Sequence, residues 1–214
     1  KYTMTLIEFE KIKSILTENN IKVKSILHVG AHECEELNAY KEYLNVSQED
    51  IIWIDGIREK VRHAKKRNIP NVYQAVISDE DGKNVNFNIT NNFQSSSIFE
   101  LGTHKQEHPH VKVMKTVTRI TTTLENFFKN NNLDPSKCNM WCFDIQGAEL
   151  LALKGGKNLL CNVDVLYLEV NEKELYVGCA NVSEIDCFLK NYGFERVETF
   201  MTNHGWGDAI YIRK

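Results

Sequence analysis

No apolar run in the chain approaches the roughly 20 residues needed to cross a bilayer, so no segment suited to membrane insertion is present. The N-terminal KYTMTLIEFEKIK mixes acidic residues with apolar ones, unlike a secretory signal. Basic residues are not in excess: 26 Lys and Arg stand against 29 Asp and Glu, a formal charge of -3. No stretch gathers Lys and Arg into a stripe, so a long phosphate backbone is an unsuitable partner and no nucleic acid is expected. C-x-x-C spacing is missing among the six cysteines, Cys34, Cys138, Cys142, Cys161, Cys179 and Cys187. Dispersed thiols in a chain large enough to need no staples point to a reducing, cytoplasmic compartment. Cys138 and Cys142 have i, i+4 spacing that suits a metal on a helix, yet Asn139-Met140-Trp141 leads into an apolar strand, so both read as core thiols. Linkers, internal repeats and low-complexity tracts are also missing, which leaves one domain over residues 1–214. The first residue is Lys1 rather than Met, which suggests a processed product or a domain excised from a longer polypeptide, whose other domains would then be partners.

What is present suits a single packed core: 42% of the residues are apolar, 10% aromatic and 26% charged. Leu6, Phe9, Ile12, Ile15 and Leu16 recur at helical spacing and predict an N-terminal helix over 4–18. An apolar run at 25–29 closes on Gly30-Ala31 and is followed by Leu37, Tyr40 and Leu44 at i, i+3, i+7, which predicts strand, tight turn and helix. The unit repeats as a strand at 51–55, a polar helix at 58–67 and a strand at 71–76. Such alternation predicts a parallel sheet covered by helices. From Asp79 to Thr122 the rhythm changes to an inserted hairpin with a long polar loop over 91–112. Alternation then resumes: a helix through Leu124, Phe127 and Phe128, a strand at 140–144, a helix at 148–154 ended by Gly155-Gly156, and a strand at 165–169. Asn181 and Glu184 stand at capping-box spacing before a last helix, and strands at 194–200 and 209–213 form a terminal hairpin. The fold class is α/β: three layers, a mostly parallel sheet, a C-terminal antiparallel hairpin and an inserted hairpin and loop region.

In an open parallel sheet, ligands bind beyond the carboxyl ends of the strands, where the strand order reverses. The polar residues closing the strands are His28 to His32, Asp55, Asp144 and Glu169. The turn at Gly30 has one glycine and lacks G-x-G-x-x-G, which argues against a nicotinamide-dependent oxidoreductase. Asp55 follows Gly30 by 25 residues, where a strand-end carboxylate accepts both hydroxyls of a ribose; its competing role is to turn the chain. Glu35 sits where a helix dipole already favours carboxylates. Asp144-Ile145-Gln146-Gly147-Ala148-Glu149 is more specific, because a carboxylate directly after an apolar strand is costly to bury unless paired with a ligand or metal; a helix cap is the competing role of Asp144. In the long loop, Pro109 breaks the helical spacing that would join His104, His108 and His110 into a metal site, and no glycine elbow surrounds Ser95 to Ser97. The loop therefore reads as a polar grip on cofactor or acceptor, and Trp206 as a face for a sugar ring or a packing residue.

Ile26-Leu27-His28-Val29-Gly30-Ala31-His32, Ile52-Trp53-Ile54-Asp55, Asn92-Phe93-Gln94-Ser95-Ser96-Ser97, Asp144-Ile145-Gln146-Gly147-Ala148-Glu149-Leu150 and Leu168-Glu169-Val170 resemble, in that order, the signature segments of FkbM-type methyltransferases. The resemblance spans about residues 25–194, and the D-x-Q-G-A-E-L segment is its most specific part. It implies a Rossmann-like class I methyltransferase fold with a seven-stranded sheet, S-adenosyl-L-methionine (SAM) as cofactor, and O-methylation of a hydroxyl on a sugar, a glycan or a glycosylated small molecule. On this resemblance His28, Gly30, Ala31, His32 and Glu35 surround the amino-acid end of the cofactor, Asp55 its ribose, Gln74 and Ala75 its adenine, and Asp144 the edge nearest the methyl group. Asp144, Glu169 and Glu149 are the candidate catalytic carboxylates, and Gln94, Ser96, Ser97, His104 and His108 the candidate acceptor contacts. Two positions depart from the pattern: His28 stands where many such strands carry Asp, and Cys34 where a second glycine is common. A neutral His28 offers no charge to the cofactor's ammonium group, which passes that contact to Glu35 or Asp144. The residues leave open whether Asp144 acts as a metal-free base or holds a divalent ion together with Glu169. The function read from the sequence is a SAM-dependent O-methyltransferase with a small-molecule or glycan acceptor; the alternative is a catalytically inactive cofactor- or glycan-binding module of the same fold.

Overall fold

The computed structural model describes residues 5–103 and 108–214. Strand β1 (Ile26–Val29) pairs in parallel with β2 (Ile51–Asp55), and β2 with β3 (Val72–Gln74). Short β4 (Val76–Ile77), β5 (Asn84–Thr90) and β6 (Val113–Thr122) leave the main sheet and form a second one in the order β4-β6-β5. The chain then returns to the other side of β1 as β7 (Met140–Phe143), followed by β8 (Val165–Asn171), β9 (Phe194–Met201) and β10 (Trp206–Arg213). The seven-stranded order is β3-β2-β1-β7-β8-β10-β9, with β10 antiparallel to both of its neighbours. Order reverses at β1 and β7, which opens a crevice beyond their carboxyl ends.

Every residue of β1, β2, β7 and β8 is buried, as parallel strands covered on both faces require. On one face, α1 (Phe9–Glu18), α2 (Leu37–Leu44) and α3 (Arg58–Lys66) pack Phe9, Ile12, Tyr40 and Val61 against Ile26, Trp53 and Met140. On the other, α4 (Leu124–Asn130), α5 (Glu149–Gly155) and α6 (Val182–Lys190) pack Phe128, Leu153 and Leu189 against Leu27, Ile54 and Trp141. Successive strand residues feed opposite layers, which is how one short apolar strand serves two cores. The capping box at the start of α6 is complete, with Asn181 accepting from the Glu184 amide and Glu184 accepting from the Asn181 amide.

Three element limits differ most from the sequence pattern. The first helix begins at Phe9 rather than residue 4; residues 1–4 lie outside the described part. The Leu6 amide donates to Asp208 Oδ2 at 2.7 Å and the Ile7 amide to the Tyr167 hydroxyl at 3.3 Å, so tertiary acceptors hold the backbone ahead of α1. The strand expected at 71–76 breaks at Ala75, whose amide still donates to Asp55 O while Val76 and Ile77 pair with β6 instead. The last strand begins at Trp206 rather than Ala209.

Candidate active site

At the end of β1, the Gly30 and Ala31 amides both donate to Ile54 O, at 2.8 and 3.0 Å, and fasten the turn to β2. Gly30 has φ +92, and a Cβ there would stand 1.8 Å from the carbonyl oxygen of Asp144. The glycine thus permits the close approach of the β1 and β7 ends. Left-handed backbone continues at His32 (φ 41) and Cys34 (φ 56), so Cys34 holds the conformation that a glycine would supply. Asp55 ends β2 and accepts from the His32 amide through Oδ2 and from the Ile57 amide through Oδ1, each at 2.7 Å. Burial pushes the Asp55 carboxyl up to about 6, against the pull of those two amides.

These residues open onto a cleft of about 600 Å³ walled by Ile57, Ala75, Val76, Phe87, Phe93 and Ile98. Phe93, itself left-handed at φ 60, lies under the Lys60 ammonium, 4.9 Å from its ring centre, and forms the outer lip. A cleft with aliphatic and aromatic walls and a carboxylate in its lining suits a nucleoside, with the base between those walls and the ribose at Asp55. The His32 ring adds an unused donor or acceptor: Nδ1 meets Glu35 Oε1 at 2.6 Å, whereas buried Nε2 has no partner. The residues present therefore fit SAM.

A second cleft of about 770 Å³ adjoins the first and is more polar, with Asn92, Gln94, Ser95, His108, His110, Tyr176 and Trp206 in its lining. Gln94 and Asp144 line both clefts. Half-buried Asp144 is joined to buried Glu169 by the side chain of Gln146, whose Nε2 donates to Asp144 Oδ1 at 2.5 Å and to Glu169 Oε2 at 2.7 Å. The Tyr176 hydroxyl donates to Gln146 Oε1 and fixes the amide's orientation. Gln146 is left-handed (φ 57), and its carbonyl accepts from the Ser97 hydroxyl at 2.8 Å. Burial raises both carboxyls, Asp144 and, further, Glu169, which also feels the charge of Asp144. Among the described residues no group of three or more His, Cys, Asp or Glu side chains is arranged to hold a metal ion.

Gly30, His32, Asp55, Ala75 and Asp144, expected near the cofactor, share the nucleoside-shaped cleft, and Gln94 and Ser96 from the long loop join them. Other expected residues lie elsewhere. Ala31 is buried in the core under α2. Gln74 is exposed and lines a separate groove with Tyr73 and Phe127. His28 is buried between Tyr40, whose hydroxyl meets its Nδ1 at 2.9 Å, and Trp53 at 4.9 Å between ring centres. Burial lowers His28 to about 4 and keeps it neutral. With Glu35 it lines a third, smaller space that Tyr167 and Asp208 also wall. Glu149 faces none of these spaces; its Oε1 accepts from the Ile145 amide at 2.9 Å and the Gly147 amide at 3.4 Å, bracing the turn that carries Gln146. Ser97 anchors Gln146 rather than lining a cleft, His108 lines the polar cleft, and His104 lies outside the described residues. Sequence reasoning passed over Gln146, Tyr176, Ile57 and Phe87. Only Gln146 had a local signal, its place inside the D-x-Q-G segment.

Comparison with known proteins gives the same architecture. The family pattern described as Methyltransferase FkbM domain matches residues 28–196. No curated protein matches. Among solved structures, the chain is similar to the FkbM methyltransferase of Methylobacillus flagellatus KT, at 12% identity and a TM-score of 0.53, over 89% of this chain and 44% of that one. It is also similar to an uncharacterized protein of Listeria monocytogenes serotype 4b, at 11% identity and a TM-score of 0.51, over 100% of this chain and 69% of that one. A SAM-dependent methyltransferase of Bacteroides fragilis in complex with S-adenosyl-L-homocysteine matches at 10% identity and a TM-score of 0.45, over 98% and 78%. The chain spans less than half of the Methylobacillus protein's length. The sheet order, the cleft at the β1 and β7 ends and the family match together place the chain in the FkbM methyltransferase family, which is SAM-dependent.

Proposed function

We propose that the protein transfers a methyl group from SAM to a hydroxyl oxygen of a sugar, a glycan or a glycosylated small molecule. One observation carries this reading: the carboxylate of Asp144 stands in a wall common to a nucleoside-shaped cleft and a polar cleft. Bound SAM supplies an electrophilic methyl group on a positively charged sulphur. Asp55 accepts the ribose hydroxyls, and Ile57, Val76 and Phe87 hold the base and exclude water from it. In the polar cleft, Trp206 and Tyr176 offer aromatic faces to a sugar ring, while Gln94, Ser95 and Asn92 offer hydrogen bonds to its hydroxyls. Asp144 receives the proton of the attacking hydroxyl, and most of the remaining rate comes from holding the two partners in line. The acceptor is a glycan or small molecule rather than nucleic acid, as the charge of -3 favours. A cytoplasmic location accords with the unpaired cysteines, Cys34, Cys138 and Cys142 being buried thiols.

Incubation with SAM and a panel of free and glycosylated acceptors, read by mass spectrometry, should give S-adenosyl-L-homocysteine together with one methylated product. Asp144→Asn should keep cofactor binding and lose roughly 100-fold to 10,000-fold in transfer rate. Glycan or SAM binding without turnover on any hydroxyl acceptor would favour the inactive binding module.

A further inference from the structure

Two carboxyl groups tied to one side-chain amide are an unusual termination for neighbouring parallel strands. The Gln146 amide has two hydrogens, and it donates one to Asp144 Oδ1 and one to Glu169 Oε2. Those two oxygens are therefore acceptors, and any proton on the pair resides on the remaining oxygens. Tyr176 prevents the amide from turning over by donating to its Oε1. Other titratable groups acting on the pair are His32 and Glu35 after β1, Glu149 on α5, Tyr176 after β8, and Asp208 on β10, and His108 and His110 line the same polar cleft. None of these is Lys or Arg, and the His32 ring, whose charge lowers Asp144, is itself paired with Glu35, whose charge raises it, so two full negative charges in this buried setting lack a dedicated cation.

We propose that Asp144 and Glu169, clamped by Gln146, hold one shared proton that a positive charge in the nucleoside cleft displaces, so that the site distinguishes SAM from S-adenosyl-L-homocysteine by charge. This deepens the methyl-transfer reading and rests on it. With the cleft empty or holding the neutral thioether, the pair keeps its proton because an isolated dianion is poorly solvated there. A sulfonium beside Asp144 supplies the missing cation, and the proton leaves for solvent. The pair then faces the acceptor ionised and ready to take a proton. During transfer the carbon–sulphur bond breaks and its electron pair stays on sulphur. The hydroxyl oxygen bonds the methyl carbon, and the hydroxyl proton moves to the carboxyl pair. Charge balances at each stage: one proton is lost when the cation arrives, and one is regained from the acceptor when the cation is consumed. Gln146 is a positioning residue in this scheme, since it touches the acids rather than the reacting atoms.

The test needs no acceptor. Isothermal titration of the intact chain with SAM and with S-adenosyl-L-homocysteine, in buffers of different ionisation enthalpy, counts protons released on binding. SAM should release about half a proton or more beyond S-adenosyl-L-homocysteine at the pH of maximal difference. Asp144→Asn should abolish that difference, with S-adenosyl-L-homocysteine binding reporting that the variant is folded. Gln146→Leu removes two donors to the ionised form, so the pH at which the difference peaks should move upward. Equal proton release by the two ligands overturns the shared proton, and an unmoved peak in Gln146→Leu overturns the clamp. If neither ligand binds, the cofactor reading itself fails and the inference falls with it.

Discussion

At the residue scale, Asp55 and Asp144 show how far a carboxylate at a strand end identifies itself. Each follows an unbroken apolar run, and burying a charge there without a purpose is costly. Asp55 yields a pH prediction. Its carboxyl is raised to about 6, and ribose hydroxyls are better held by the ionised form. Affinity for S-adenosyl-L-homocysteine, which leaves the Asp144 and Glu169 pair protonated, should therefore rise as the pH climbs through about 6 and level off above it. Asp55→Asn should remove that rise and weaken binding by roughly tenfold or more, since hydrogen bonds to charged groups are worth about 1.5 to 3 kcal/mol each. Calorimetry on both sides of the transition checks this, and an unchanged affinity in a folded variant would remove Asp55 from the ribose site. Gln146 and Tyr176 were not legible in the same way. Tyr176 reaches Gln146 across 30 positions of sequence, and no local pattern encodes that meeting. Gln74 and Ala31 were drawn into the expected site by their neighbours, yet Gln74 lines a separate groove and Ala31 packs into the core.

At the element scale, apolar runs located the central strands well because parallel strands must be buried on both faces. Element limits were less legible where tertiary hydrogen bonds decide them, as at Leu6 and Ile7 before α1 and at the break between β3 and β4. The exposure of β6 was also hidden from the pattern: Met114 and Ile120 are 71% and 68% exposed despite their apolar side chains. The junction of β1 with β7 offers the sharpest test of an element. Gly30→Ala places a methyl group 1.8 Å from the Asp144 carbonyl oxygen at φ +92, so either strand end must move. Stability should drop by about 3 kcal/mol or more, toward the severe end for single substitutions, and SAM binding should be lost with it. Chemical denaturation and cofactor titration measure the two effects. A variant with wild-type stability would mean that the strand ends separate freely.

At the scale of the whole molecule, buried acids set how stability varies with pH. Burial raises Glu149 to about 8 and Asp208 to about 7, and it raises Asp144 and Glu169 as well. A raised folded value means that the native state binds the proton more tightly than the unfolded chain. The resulting stability is complete below the unfolded carboxyl values and is lost as the pH rises through about 7 to 8. His28 acts oppositely: lowered to about 4, it contributes above 6.5 and loses that contribution as the pH falls toward 4. Thermal stability of the ligand-free protein should therefore peak at mildly acidic pH and decline toward pH 8, at up to about 1.4 kcal/mol per pH unit for each group titrating. Glu149→Gln should flatten the alkaline decline. A melting temperature that rises between neutral and alkaline pH would contradict this account. The same net charge of -3 predicts negligible binding to RNA or DNA at physiological salt, and a micromolar, steeply salt-dependent complex in a fluorescence assay would overturn it.

The second sheet leaves the core at Ile77 and returns at Thr122, and these two residues pair directly, with the Ser78 amide donating to Thr122 O at 3.0 Å. Such an arrangement behaves as a cassette with adjoining ends, whose length can change during descent with little strain on the main sheet. Wholesale exchange of the cassette would nonetheless alter both clefts at once, because Phe87 and Phe93 line the apolar cleft while His108 and His110 line the polar one. On the proposed function, lineages that acquire new acceptors should therefore diverge first at Asn92, Ser95, His108 and His110, which line the polar cleft and not the apolar one, and keep Phe87 and Phe93.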